Sequence, residues 1–371
     1  MFSEEYLYLI ALKQCRNIGN SNLRKLLKHS GSAKKVWEST PKALQSIYGI
    51  GKNIIRDIGK KEFLIAAEKE IKFCEKHDIK IVSHTEDSYP KHLLNCDDAP
   101  AILFYKGYLN PDHNPVGIVG TRKLTPYGKH FIQDFLSELI NTNICTISGL
   151  ALGADTCVHE ESLKNEIPTI AILAQSLKTI YPSSNKNLAK RILDNNGALI
   201  SEYTSFDNIS RENFLQRNRI IAGFAPHLIV VETAYGGGSM TTVNYANGYD
   251  RDVFALPGKI TDQYSQGCNQ LIAMNKAETI VDIKTLIQNL NIAIQPELFP
   301  KEEPKVELDA DKKEHLLILE IITVEKSLSL DEIADKTNIL HHKLLPILLD
   351  LELYGYIKCL SGRQYQINDQ K

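Results

Sequence analysis

Three glycines in a row, Gly236, Gly237 and Gly238, sit in "ETAYGGGSMTT" (Glu232 to Thr242), directly behind the apolar run "HLIVVE". Glycine loses more backbone freedom on folding than any other residue, so such a run marks a place where the main chain must come close to something. A strand that ends in a glycine turn and reopens as a helix aims free N–H groups at one point, which suits a phosphate. That phosphate belongs to a nucleotide about to be cleaved, to a dinucleotide cofactor, or to the backbone of a nucleic acid.

Cations recur in other candidate loops. "GTRKLTPYG" (Gly120 to Gly128) carries Arg122 and Lys123, and its Thr125 can cap a helix that Pro126 opens. "SGLALGAD" (Ser148 to Asp155) has two glycines for close backbone approach and places Asp155 early in a helix, as a cap or a loop tie. No acid follows about twenty residues on, as the dinucleotide fingerprint requires. "YPSSNKNLAKR" sets Lys186 and Lys190 near a helix start. In "SRENFLQRNRIIAG" (Ser210 to Gly223), Arg211, Arg217 and Arg219 surround Phe214. An aromatic among cations outside a sheet edge suits a stacked base beside its phosphates. The alternative puts Phe214 in the core and has Arg217 hold an acid such as Glu202. Arg217 and Asn218 are expected to have mixed roles, since the spacing from Phe214 to Arg217 places both on one helix face.

The elements that must position these loops show in the pattern. From Val116 to about Ile283, "VGIVG", "ICTIS", "TIAILA", "ALIS", "HLIVVE", "DVFAL" and "ETIVDI" alternate with amphipathic helices, the first of which repeats Tyr127, Phe131 and Phe135. Continuous apolar runs are what strands buried on both faces require, so the spacing predicts an α/β fold with a parallel, doubly wound sheet over residues 81–293. Ligands of such sheets bind beyond the carboxyl ends of the strands. Residues 1–80 read as an N-terminal helical domain, whose "GIGKNIIRDI" (Gly49 to Ile58) resembles a helix-hairpin-helix turn and equally suits a tight turn between packed helices. "IQPELFPKEEPKVELDADKK" (Ile294 to Lys313) reads as an exposed linker. Residues 314–371 follow the plan of a winged helix: helix, turn, helix, then a hairpin about "SGR". The second of these helices offers only His341, His342 and Lys343 near its start and carries Asp350 and Glu352, a poor charge set for reading a DNA groove.

The chain has 371 residues, 43% of them hydrophobic, and a formal net charge of −2. It is long enough for two or three domains, and any anion site must be a local patch rather than a general basic balance. No apolar run of membrane length and no basic-then-apolar leader is present in "MFSEEYLYLI", so the cytoplasm is the expected location. Seven scattered cysteines without C-x-x-C spacing read as reduced, mostly buried thiols, and no metal site is expected; Cys157 and His159 point to different helix faces. "GIGKN" lacks the first glycine and the hydroxyl of an ATP-binding P-loop.

Taken in order, "GTRKLTPYG", "SGLALGAD", "YPSSN", "SEY", "FLQRNRIIAG", "VVETAYGGGSMTT" and "FALPGKITDQYSQGCNQLI" resemble the motifs of the DNA-processing protein A (DprA/Smf) family, with "SYPKHL" and "APAILFYKG" before them. The resemblance implies a Rossmann-like protein, with a helical N-terminal domain of the SAM or helix-hairpin-helix kind, that binds single-stranded DNA without catalysis. It also implies a homodimer that needs no cofactor and helps load the RecA recombinase onto incoming strands during natural transformation. Carried over by motif, the phosphate-binding arginine falls on Arg122, the basic and aromatic pair on Arg211 and Phe214, and the glycine loop on Gly236, Gly237, Gly238 and Ser239. Lys123, Lys186, Arg217 and Asn218 complete the candidate DNA-binding set. The chain departs from the family in "LAQSLKTIYP", where a glycine-rich loop is usual, and in the triple glycine itself. The competing reading is an enzyme, a nucleoside-monophosphate phosphoribohydrolase of the lysine-decarboxylase-like fold. Its chemistry needs a carboxylate near the helix start to stabilise an oxocarbenium ion, and Thr241 and Thr242 stand there instead.

Overall fold

The structure is a computed structural model that describes residues 3–291 except 111, and 313–367 except 326 and 361–363. The linker expected at residues 294–313 lies, up to 312, outside the described residues, and so does the "SGR" turn. The chain divides into two compact units, Met1–Pro296 and Glu297–Lys371.

The first unit begins with six helices: α1 (Glu4–Gln14), α2 (Asn20–Ser30), α3 (Ala33–Glu38), α4 (Pro41–Gln45), α5 (Lys52–Ile55) and α6 (Lys61–Lys76). Between α4 and α5, Gly49 adopts φ +83 and Ile50 is buried, so "GIGK" is a tight turn pinned by its isoleucine. The strands are β1 (Lys80–Ser83), β2 (Ile102–Gly107), β3 (Asn114–Val119), β4 (Ile144–Ser148), β5 (Thr169–Ile172), β6 (Ala198–Ser201), β7 (His227–Val230), β8 (Asp252–Ala255) and β9 (Glu278–Thr279). The intervening helices are α7 (Lys91–Leu94), α8 (Pro126–Ser137), α9 (Ala154–Lys164), α10 (Lys186–Asp194), α11 (Arg211–Phe224), α12 (Gly238–Gly248), α13 (Gln266–Ala273) and α14 (Ile283–Asn289).

The nine strands form one sheet in the order β1-β2-β6-β5-β4-β3-β7-β8-β9. All seven expected strands are present and pair in parallel. Two further strands, β1 and β2, add an antiparallel margin against β6. Every residue of β4, β5 and β6 is buried, because helices cover both faces. Ile118 and Ile229 face Phe135 of α8 and Val158 of α9, whereas the neighbouring Val119 and Val230 face Ile220 of α11 and Val243 of α12. Full burial of each such side chain contributes about 1.5–3 kcal/mol. Phe131 and Phe135 stack 5.9 Å apart on α8 as the four-residue spacing requires, while Tyr127 stays half-exposed and donates to the Pro257 carbonyl at 2.7 Å.

The first 80 residues share a core with the sheet. Leu9, Leu12 and Trp37 belong to the same apolar cluster as Ile81, Phe104 and Leu173. Two buried acids add polar ties: Glu70 of α6 accepts from the Ser205 N–H at 2.9 Å, and Glu202 accepts from Asn20 Nδ2 at 3.2 Å. Of the cysteines, Cys359 is exposed, the others are buried, and all are free thiols.

The second unit contains α15 (Lys313–Glu325), β10 (Leu328–Ser329), α16 (Leu330–Thr337), α17 (His341–Leu353), β11 (Ile357–Leu360) and β12 (Gln364–Ile367), with its strands in the antiparallel order β10-β12-β11. A reciprocal capping box, Ser329 with Glu332, starts α16. Ile318, Ile333, Leu344 and Leu351 form its core.

Candidate functional site

The chain leaves β3 toward β4, β5 and β6, then returns through α11 to β7 on the other side of β3. Strand order therefore reverses between β3 and β7, and a crevice opens beyond their carboxyl ends. A cavity of about 860 Å³ occupies this place, lined by the loops after β3, β4 and β7 and by the start of α11.

The loop after β3 is built by its cap. Thr125 accepts from the Gly128 N–H at 3.4 Å, while its own N–H and hydroxyl donate to the buried Glu232 carboxylate at 2.9 and 2.5 Å. Glu232 thus fixes the loop to the end of β7, and Arg122 and Lys123 stand exposed at its tip. The Arg122 guanidinium carbon lies 5.7 Å from the centroid of the Phe214 ring, a cation–π arrangement. Tyr181, 51% exposed, meets Phe214 edge-on at 5.6 Å. Phe214 is half-buried on the cleft wall and belongs to none of the apolar core clusters of the described residues. Arg211, the first residue of α11, is exposed on the same wall.

Arg217 faces inward, with 4% of its surface exposed. Its Nη1 donates to the Gly149 carbonyl at 2.6 Å and to that of Ile172, and its Nε donates to Asn218 Oδ1 at 3.2 Å. It joins the ends of β4 and β5 beneath the cleft. A Cβ on Gly149 would meet the Arg217 guanidinium, so a side chain there would have to push it off the Gly149 and Ile172 carbonyls. Asp155 closes the same loop by accepting from the Ala151 N–H at 3.1 Å; burial pushes its carboxyl up, and Arg217 opposes that push. The partner considered for Arg217, Glu202, is taken by Arg219 at 2.6 Å. Two residues apart on a helix, the two arginines point about 200° apart, and so satisfy different neighbours.

The glycine turn divides. Gly236, at φ +65, is exposed and stands outside the cleft lining, whereas Gly237 and Gly238 line it. Gly237 is the N-cap of α12 and supplies no side-chain cap; the Met240 N–H donates to its carbonyl at 3.0 Å, and the Gly238 and Ser239 N–H groups of this eleven-residue helix lie at the cavity wall without a side-chain cap. Ser239 is buried and donates to the Gly120 carbonyl at 2.9 Å, which binds the glycine turn to the Arg122 loop. Lys186 is exposed at the start of α10 and does not line the cleft. The structure therefore brings Arg122, Lys123, Arg211, Phe214, Asn218, Gly237 and Gly238 to one wall. It gives Arg217 and Ser239 internal bonds and sets Lys186 and Gly236 apart. Sequence reasoning missed Tyr181, for which the aromatic before proline in "YPSSN" is the available signal, and Glu232, whose partner is 107 residues away.

These features define an α/β protein with a mostly parallel sheet and a cation- and aromatic-lined cleft at its switch point. The chain belongs to the DNA recombination-mediator protein A family, whose model matches residues 80–291. Among its relatives, Protein Smf of Synechocystis sp. is 33% identical over 301 residues, covering 78% of this chain and 74% of its own. The X-ray structure of DNA processing protein A (DprA) from Streptococcus pneumoniae matches with a TM-score of 0.65 at 29% identity, covering 78% of this chain and 98% of that one. A structure of DNA processing protein A from Helicobacter pylori, solved in work on that protein's single-stranded DNA binding mode, matches with a TM-score of 0.52 at 28% identity, covering 57% of this chain and 95% of that one.

Proposed function

We propose that this chain binds single-stranded DNA in the cleft between β3 and β7, without catalysis, and acts as a recombination mediator during natural transformation. The observation that carries this reading is Arg122 over the half-buried Phe214 ring beside the exposed Tyr181: a cation and two aromatic rings on one wall, the residue types that base stacking next to phosphate contact uses. Lys123, Arg211 and the uncapped start of α12 spread further anion contacts along the same wall, as a strand-tracking groove requires. The match to a relative studied for its single-stranded DNA binding adds to this. The finer reading is a cytoplasmic homodimer that hands its strand to RecA, with a helix-hairpin-helix-like N-terminal region and a winged helix in the second unit. The order α15-β10-α16-α17-β11-β12 supports the last of these.

Binding rather than glycosidic cleavage is favoured because the first turn of α12 holds no acid and Glu232, just before the turn, is committed to Thr125. Titrating a labelled single strand and its matched duplex at two salt concentrations tests the proposal. Preference for the single strand with a salt-dependent Kd is expected, and equal affinity for the duplex overturns it.

A further inference from the structure

Lys25 and Lys28 stand one turn apart on α2 and line a groove of about 790 Å³ between that helix and the loop after β1, where His84 and Thr85 form part of the wall. β1 is antiparallel to β2, which is antiparallel to β6, so β1 points the same way as the seven parallel strands. His84 and Thr85 therefore lie beyond a carboxyl strand end, as the loops of the cleft do. Asn20, the first residue of α2, is held at this end too, through its bond to Glu202 just after β6. Groove and cleft share one end of the sheet, five strand spacings apart from β1 to β3, or roughly 24 Å.

Both lysines are exposed, and the ion pairs of the surrounding helices use other cations: Lys34 with Glu4, and Arg56 and Lys60 with Asp57. The Lys25 ammonium reaches the Gly49 turn, 3.7 Å from where a Cβ would project, and Tyr48 beside it is 95% exposed. Of the two acids on the wall, Glu5 is turned onto the Ala33 and Lys34 N–H groups, which leaves Asp97 facing the cations. Arg24 is spent on the Leu94 and Cys96 carbonyls. An exposed tyrosine next to the turn that Lys25 reaches, with Lys28 a turn further along α2 and neither lysine in an ion pair among the described residues, repeats in smaller form the aromatic-and-cation pattern of the cleft.

We propose that this groove, together with the Gly49 turn that Lys25 reaches, is a second contact for the same single strand, with Lys25 and Lys28 on its phosphates and Tyr48 of that turn under a base. The inference rests on the cleft reading above, and extends the site along the sheet end to the β1 edge. One groove of this kind covers only a few nucleotides, whereas two about 24 Å apart are bridged only by a longer strand.

The test compares labelled oligothymidylates of about 6 and about 20 nucleotides by fluorescence anisotropy with the full chain. The variants are Lys25→Glu with Lys28→Glu, the milder Lys25→Gln with Lys28→Gln, and Tyr48→Ala. Wild type is expected to bind the long strand at least tenfold more tightly. Both lysine pairs should lose most of that gain, with the salt slope on the long strand shallower by about 1.4, two single-strand phosphates at about 0.7 each. Tyr48→Ala should lose part of the gain without a change in slope, and none of the variants should alter binding of the short strand. Unchanged long-strand affinity and slope in the glutamine pair, which leaves the helix surface polar, overturns the inference. Failure of the cleft reading is separate: it shows as a short strand that binds Arg122→Ala as well as wild type.

Discussion

Arg219 Nη2 and Glu202 Oε2 form an ion pair at 2.6 Å, with neither side chain more than 5% exposed. Glu202 also accepts from Asn20 and lies 3.9 Å from Lys13, so one carboxylate joins α11 to the first two helices. Removing one member of a buried pair leaves the other charge uncompensated. Glu202→Ala should therefore lower unfolding free energy by about 3–5 kcal/mol in urea titration. Glu202→Leu with Arg219→Met should recover much of that loss, since neither charge is then stranded. A single variant as stable as wild type would remove the pair from the account of the fold.

Charge and stacking leave different marks on binding. Arg122→Ala should weaken single-strand binding and make the slope of log K against log salt shallower by about 0.7, and Arg211→Ala should do the same. Phe214→Ala should cost roughly 1–3 kcal/mol with the slope unchanged. Because the guanidinium lies over the ring, the two losses should not add, and a double-mutant cycle reads the difference. Additive losses would mean that Arg122 and Phe214 act separately.

Acid should loosen the first unit through His159. This side chain is fully buried, its Nδ1 2.7 Å from Thr169 Oγ1, and burial pushes its pKa down to about 3. The unfolded chain takes up a proton near pH 6.5 that the folded chain refuses. The stabilisation is thus complete above pH 6.5 and is lost as pH falls toward 3, by at most about 1.4 kcal/mol per unit. Between pH 6.5 and 5, wild type should lose up to about 2 kcal/mol more than His159→Gln in chemical denaturation. Parallel losses would show that the imidazole is hydrated.

The second unit should be dispensable for strand binding. Its α17 carries Leu345, Leu349 and Leu353 exposed, with Asp350 and Glu352 among them, a face unsuited to phosphate. A chain ending at Pro296, the boundary of the first unit, should keep its single-strand Kd within about threefold. Loss of most of the affinity with the fold intact would make α17 a DNA contact.

The parallel strands were legible because burial on both faces erases alternation: "HLIVVE" and "TIAILA" run apolar through both faces. β1 and β2 were not, since "KIVS" is four residues long and "ILFYKG" turns half-exposed at its end. Arg122, Phe214 and the glycine turn could be placed because their loops follow strands. The fates of Arg217 and Arg219 could not: both are cations on one helix, and only the fold decides which meets the Gly149 carbonyl and which meets Glu202. The Thr125 cap was readable from its proline, while its second partner, Glu232, comes from a strand paired through tertiary structure.

The sheet's outermost strands, β1 with four residues and β9 with two, leave few unpaired backbone groups at either rim. A long bare rim is a template on which another chain can add a strand, and short or charged rims deny it one. Lys80 opens β1, and both residues of β9, Glu278 and Thr279, are exposed. Molecules crowded together at high local density therefore meet no long ladder to extend at either rim of the nine-stranded sheet.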